Sequence, residues 1–465
     1  MRTVVVAVLL LASLVVQPAN LRAEESTLDF GRFGRVTLYR QTPHPANVIL
    51  FASGDGGWNK GVVDMARQLA GMDTLVAGID VVHYLRQLAA SGEPCSYPAA
   101  DFESLSHFLQ QRLGFPQYRL PVLIGYSSGA ALVYATLAQS PPGTFLGAIS
   151  MGFCPDLPLD KHFCRGSGLS TETGPKGKGI VFLPCTHLKE PWIALQGTLD
   201  QVCDPTVAQR FAGRVANGEI VMLPKVGHGF GVPAHWLPQL RAAFLKIAGR
   251  QAAVPAVNTG LADLPLETVP ATGAPRDVLA LIITGDGGWA GLDQELAAGL
   301  AEAGIDVVAL NSLKYFWRAR TPDQLGADVE RILQHYLGRW QKRRILLVGY
   351  SMGADVLPFA VNRLSAAIRD RVNAVALLAP GRRASFEFHL SDWLGGAAAD
   401  GEPIKPEVER IRGPEIVCLY GQEETDSLCP LLAGGRIKVL EMAGGHHFGG
   451  DSAALVRILI ANAGR

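Results

Sequence analysis

Two copies of one ordered set of motifs run through this chain, and that repetition constrains its fold more than any other feature. GDGGW stands at Gly54–Trp58 and again at Gly285–Trp289, each time after an apolar run, NVILFAS in one case and VLALIIT in the other. GYSSG (Gly125–Gly129) and GYSMG (Gly349–Gly353) follow, then GTLDQVC or GQEETDSLC, then a glycine-flanked histidine in KVGHGFG or AGGHHFGG. Matched positions lie between 218 and 231 residues apart. Four motifs in one order at nearly one spacing imply a duplicated domain. The 465 residues leave room for two units, since domains run to roughly 100–200 residues. We expect a signal segment over 1–23, a first unit over 24–249, a linker over 250–261 and a second unit over 262–465.

Within each half, short apolar runs alternate with helix-like segments such as GVVDMARQLA and LDQELAAGLAEAG. That alternation predicts a mainly parallel sheet covered by helices. RVTLYRQ and LPLETVPA, which open the two halves, alternate with the period of an antiparallel edge strand. In such a sheet functional loops gather at the carboxyl ends of the strands, and every repeated motif falls there.

The chain opens with Arg2, an apolar run from Val4 to Val16, and Ala23 before two glutamates. This is the layout of a cleaved secretory signal, and the run falls short of the roughly 20 residues that span a bilayer. The mature chain is expected to be soluble outside the cytoplasm. Seven cysteines suit an oxidising compartment. Cys154 with Cys164, Cys418 with Cys429 and Cys185 with Cys203 are suggestive pairs that leave Cys95 over, with the connectivity open. Lysine plus arginine (42) balance aspartate plus glutamate (42) without runs of like charge, which removes the basis for a nucleic-acid grip. Neither CxxC nor HExxH spacing occurs, so a metal site is not expected.

GxSxG between a strand and a helix forms a nucleophile elbow, in which glycines relieve crowding at a sharp turn and the serine hydroxyl projects from the sheet. Serine, then acid, then histidine is the chain order of α/β hydrolases, so the predicted fold class is α/β, as two tandem α/β-hydrolase-like domains, each with a lid insertion. A serine hydroxyl needs an imidazole to take its proton and a carboxylate to orient that ring. In the second half Ser351, Asp426 and His446 fill these roles, with His447 the second choice for the base. Glu424 competes with Asp426: it stands three residues after Gly421, as Asp200 does after Gly197, whereas Asp426 keeps the offset to Cys429 that Asp200 keeps to Cys203. Asp426 is favoured. Oxyanion donors are expected from the N–H groups of Met352 and Gly287.

Ser127, Asp200 and His228 form the corresponding set in the first half, with Gly56 and Ser128 as oxyanion donors. This second site competes with a reading in which the first unit has drifted into a scaffold. GDGGW has a structural reading as well, with tryptophan packed under the turn and Asp55 or Asp286 capping the next helix. The copies differ four residues after the serine, where Asp355 replaces Ala131. On the nucleophile's helix face, that carboxylate either favours a cationic substrate group or is only a helix-face residue meeting water or Arg363. The lid insertions are read at 154–191 and 380–413, the second carrying Phe386, Phe388 and Trp393.

GDGGW with GYSMGA, the SLKYFW run at Ser312–Trp317, and GGHHF, in a signal-bearing double unit, resemble the VirJ/AcvB family of bacterial virulence-associated periplasmic proteins. The resemblance covers nearly the whole mature chain. It implies hydrolysis of aminoacylated phosphatidylglycerol, lysyl-phosphatidylglycerol especially, with the lipid presented at the bilayer surface. The family's lipase-motif serine falls on Ser351 and its histidine on His446 or His447. The reaction calls for no cofactor, and Asp355, Glu423 or Glu424 would hold the lysyl ammonium. The rival readings are a non-catalytic periplasmic scaffold linked to secretion and a general carboxylesterase.

Overall fold

The structure is a computed structural model that describes residues 24–252, 260–388 and 401–463. The expected signal segment, most of the expected linker, and the lid residues 389–400, Trp393 among them, lie outside the described residues. In chain order the first half contributes β1 (Glu24–Phe30), β2 (Gly34–Arg40), β3 (Asn47–Ala52), β4 (Thr74–Ile79), β5 (Val122–Tyr126), β6 (Gly147–Met151), β7 (Asp156–Leu157), β8 (Thr171–Thr173), β9 (Ile180–Phe182), β10 (Trp192–Gly197) and β11 (Gly218–Leu223). The second contributes β12 (Leu266–Val269), β13 (Val278–Ile283), β14 (Asp306–Leu310), β15 (Arg344–Tyr350), β16 (Val372–Leu378), β17 (Arg383–Ala384), β18 (Glu402–Pro403), β19 (Glu415–Gly421) and β20 (Lys438–Met442).

Two large sheets result. The first has the order β1-β2-β4-β3-β5-β6-β10-β11 and the second β12-β14-β13-β15-β16-β19-β20. From β4 or β14 onward every neighbour is parallel, while β2 and β12 pair antiparallel with β4 and β14. The duplication is thus complete at the level of strand order, and the first sheet adds one antiparallel strand, β1, outside β2. The insertion between β6 and β10 folds into a small sheet of β7, β9 and β8.

The buried strands show why the sheets are covered on both faces. Along β3, Val48, Leu50 and Ala52 join one core cluster while Ile49 and Phe51 join another. Along β13, Leu279, Leu281 and Ile283 face one way and Val278, Ala280 and Ile282 the other. Successive strand residues point to opposite faces, so an uninterrupted apolar run requires helices on both sides. Each of these larger side chains contributes roughly 1.5–3 kcal/mol by leaving water. Replacing Leu281 by alanine removes about 2–5 kcal/mol.

The units meet through SLKYFW. Leu313 and Trp317 cluster with Tyr118 and Phe388, and the Trp317 indole donates to the Phe115 carbonyl at 2.8 Å. Gln111 donates across the same junction to the Phe388 carbonyl at 2.6 Å.

Disulfides correct two of the expected pairings. Cys95 joins Cys164, Cys154 joins Cys203, and Cys185 is a buried free thiol. Cys418–Cys429 is as expected. Cys95 and Cys164 are 69 residues apart and are brought together by parallel backbone bonding between the segments around Ser96 and Phe163, a tertiary contact with no local sequence signal.

Candidate active site

Both elbows place serine where L residues rarely sit: Ser127 has φ 55° and ψ −123°, Ser351 φ 52° and ψ −122°. Such backbone costs on the order of 1–3 kcal/mol. It persists because the surroundings determine it. A Cβ on Gly349 would lie 2.4 Å from the Gly353 carbonyl oxygen, and one on Gly353 would lie 2.0 Å from that of Ile283. The Ser351 N–H donates to the Leu378 carbonyl at 2.9 Å, which ties the turn to the neighbouring strand.

Ser351 Oγ lies 2.8 Å from His446 Nε2, and His446 Nδ1 lies 2.7 Å from Glu424 Oε1. The ring's carboxylate partner is therefore Glu424, a correction to the choice of Asp426. Glu424 closes the turn after β19: its N–H donates to the Gly421 carbonyl at 2.9 Å, and its Oε2 accepts from the Gly421 N–H at 2.7 Å. Asp200 makes the matching backbone turn, its N–H reaching the Gly197 carbonyl at 3.3 Å. The offset from the strand-end glycine was the valid guide. The cysteine offset failed because Cys429 pairs back onto β19 while Cys203 pairs across to Cys154. Asp426 is exposed, and its carbonyl accepts from Arg382. Engaged in this way, Glu424 is not available to hold a substrate ammonium.

His447 stands beside this array. Its Nδ1 lies 2.6 Å from the Tyr350 hydroxyl, which also lies 3.4 Å from the His446 carbonyl. Burial works against charge on His446, but the hydrogen bond and charge of Glu424, then the charges of Asp286 and Asp355, outweigh it and hold the imidazole above its ordinary range. Burial and the neighbouring His446 push His447 the other way.

Asp355 accepts from the Gly381 N–H at 2.7 Å. Burial pushes its carboxyl up to about 8, the Gly381 N–H and His446 oppose the rise, and Asp286 and Asp426 reinforce it. Two further acids act electrostatically on this array or its neighbours without any motif spacing that marks them as site residues. Asp286 belongs to the glycine turn and interacts electrostatically with His446, Asp355 and Tyr350. It does not cap the following helix, whose N-cap is Ala290 with no side-chain bond. Glu103 comes from the first unit, and burial followed by the charge of Asp286 pushes it up to about 8. Asp286 was legible as part of a motif; Glu103 carries no signal, because only the junction of the units brings it there.

Gly285, the first glycine of the turn, packs on the nucleophile: a Cβ there would lie 3.5 Å from Ser351 Cβ. Gly287 lies two residues further along, half-buried. Met352 opens the helix Met352–Val361, where the first N–H groups have no intrahelical acceptor.

In the first unit Ser127 Oγ lies 2.9 Å from His228 Nε2, and His228 Nδ1 2.9 Å from Asp200 Oδ2. Ser128 opens the helix Ser128–Gln139, Gly56 is exposed, and a Cβ on Gly54 would lie 2.9 Å from Ser127 Cβ. Ligand atoms of Asp200, Cys203 and His228 lie within 4.8 Å of one another. The Cys203 sulfur is held in a disulfide and the other two groups bond each other, so this donor set suits the triad arrangement and not a metal.

A family model described as bacterial virulence protein (VirJ) matches residues 46–145 and 277–465. No curated protein sequence matches. Among solved structures, an esterase domain from Rhodothermus marinus aligns at 16% identity over 48% of this chain and 98% of its own, with a TM-score of 0.32. A dienelactone hydrolase from Anabaena variabilis aligns at 17% identity over 48% and 98%, TM-score 0.35. A thermophilic esterase from Thermogutta terrifontis aligns at 17% over 50% and 97%, TM-score 0.33.

Proposed function

Because the chain belongs to the VirJ family of bacterial virulence proteins, whose model matches more than half of it, we propose that it is an exported, periplasmic serine hydrolase. Its substrate is the aminoacyl ester of aminoacylated phosphatidylglycerol, the lysyl form above all. The observation that carries this reading is a nucleophile and base in contact, Ser351 Oγ and His446 Nε2 at 2.8 Å, with Asp286 and Asp355 acting electrostatically on that base and Glu103 on Asp286. Every aminoacyl ester carries an ammonium group, and lysyl carries two. Acids near one serine, Asp355 and Glu103 once deprotonated among them, attract such an acyl group and repel an anionic one.

Ser351 attacks the ester carbonyl while His446 takes its proton, and the N–H groups of Met352 and Gly287 receive the oxyanion. The imidazolium, steadied by Glu424, then protonates the leaving glycerol oxygen. Water, deprotonated by the same ring, attacks the aminoacyl-Ser351 ester; the Ser351 oxygen recovers the proton, and free amino acid leaves. Vesicles of phosphatidylglycerol containing lysyl-phosphatidylglycerol, incubated with the mature chain, are expected to release lysine and gain phosphatidylglycerol in equal amount. Intact lysyl lipid after prolonged incubation would overturn the reading.

A further inference from the structure

We propose that the first unit is a second, independent esterase centre, built on Ser127, His228 and Asp200 and selecting uncharged, aliphatic acyl groups. This goes beyond the reading given for Ser351. The three groups meet at 2.9 Å and 2.9 Å, distances suited to proton transfer. Asp200 also accepts from Gln196 Nε2 at 3.0 Å and from the Val202 and Cys203 N–H groups at 2.9 Å each. The acid loop is anchored by Cys154–Cys203, and the His228 loop by the Tyr126 hydroxyl, which donates to the His228 carbonyl at 2.9 Å. A unit kept only as a scaffold gains nothing from holding serine at φ 55°, a conformation that glycine adopts without penalty.

The acid and base loops of this unit present exposed apolar side chains. Leu199 and Val202 flank Asp200, Val232 follows His228, and these three are 62%, 69% and 53% exposed. Exposed large apolar residues are few among the described residues, and these occur on the two loops that carry the acid and the base. Ala131 stands where the second unit has Asp355. Two carboxylates, Asp55 and Asp156, interact with each other nearby, which disfavours an anionic acyl group, while the lack of an Asp355 counterpart and the exposed Leu199, Val202 and Val232 favour an aliphatic group over a cationic one.

The chemistry is ester hydrolysis. Ser127 Oγ bonds to the acyl carbon as its proton passes to His228 Nε2; the acyl–oxygen bond breaks and the alcohol leaves with that proton. Water then adds to acyl-Ser127 with its proton taken by His228, the bond to Oγ breaks, Oγ is reprotonated, and the carboxylic acid leaves. The net change is ester plus water to acid plus alcohol.

The test is peptide mapping of the full chain after reaction with a fluorophosphonate. Two adducts are expected, one on Ser127 and one on Ser351, with the Ser127 adduct lost in His228→Ala. In a Ser351→Ala chain, hydrolysis of p-nitrophenyl butyrate and octanoate should fall at least ~10³-fold on adding Ser127→Ala. Leu199→Ser with Val202→Ser should raise KM for octanoate about tenfold relative to acetate, at unchanged thermal midpoint. An adduct on Ser351 alone, or ester hydrolysis indifferent to Ser127→Ala, would overturn the proposal. Lysine release from lysyl lipid is read separately, so the failure of either site is distinguishable from that of the other.

Discussion

Glu103, on the helix Pro98–Arg112 of the first unit, interacts electrostatically with Asp286, in the glycine turn beside Ser351 of the second. The charge around the glycine turn of the second unit is therefore set partly by the first. Above pH 8, where Glu103 has lost its proton, Glu103→Gln is expected to lower kcat/KM for a lysyl ester several-fold more than for the same ester with its amines acetylated, as loss of about 1 kcal/mol of attraction requires. Equal effects on both esters would remove Glu103 from substrate recognition.

Glu424 and Asp426 separate cleanly. Glu424→Gln keeps the side chain's size but deprives the imidazolium of its carboxylate, and kcat should fall about 10⁴-fold. Asp426→Asn should change kcat less than about threefold. Steady-state rates on a lysyl ester decide it, and the reverse ranking would refute the assignment.

Activity on cationic esters should rise with pH through about 8. Asp355 and Glu103, both pushed up to about 8, lose protons over that range and gain attraction for ammonium. His446, held above its ordinary range, must also lose its proton to act as base, so both effects have one sign. Asp355→Asn should flatten the upper part of the kcat/KM profile. A profile that falls between pH 7 and 8 would contradict this account.

Asp355 also trades stability for function. Its carboxyl rises from 3.8 in the unfolded chain to about 8 in the fold, so the folded state holds the proton more tightly. Folding stability contributed by this group is then lost as pH climbs from about 3.8 to about 8. Asp355→Asn, whose amide oxygen still accepts from Gly381, should raise the thermal midpoint by a few degrees at pH 8 and leave it unmoved below pH 4. A lower midpoint at pH 8 would make Asp355 a structural residue.

The Cys418–Cys429 bridge encloses the turn that carries Glu424, the two cysteines standing 11 positions apart in sequence. The chain-entropy model assigns such a loop roughly 3 kcal/mol. Cys418→Ser should lower both the thermal midpoint and kcat, because the turn is freed along with the chain. A fall in midpoint with kcat intact would show that the Gly421–Glu424 hydrogen bonds hold the acid alone.

Much of this architecture was written locally. The strand order and both elbows follow from apolar runs ending in GDGGW and GxSxG, since close backbone approach at Gly349 and Gly353 admits no side chain. His446 was legible because His228 has an equivalent place in the repeat. The acid was ambiguous, as two local offsets disagreed and only the disulfide connectivity shows which one is structural. Glu103 and the Cys95–Cys164 pair depend on contacts between distant segments, and no periodicity or motif encodes those.

The most direct measurement of the central claim is rapid-quench mass spectrometry of the mature chain turning over a lysyl ester, followed by peptide mapping. The account predicts a transient lysyl adduct on Ser351 that forms and decays at rates consistent with kcat, and that does not form in His446→Ala. Lysine release with no adduct on Ser351, or with the adduct on another residue, would contradict it.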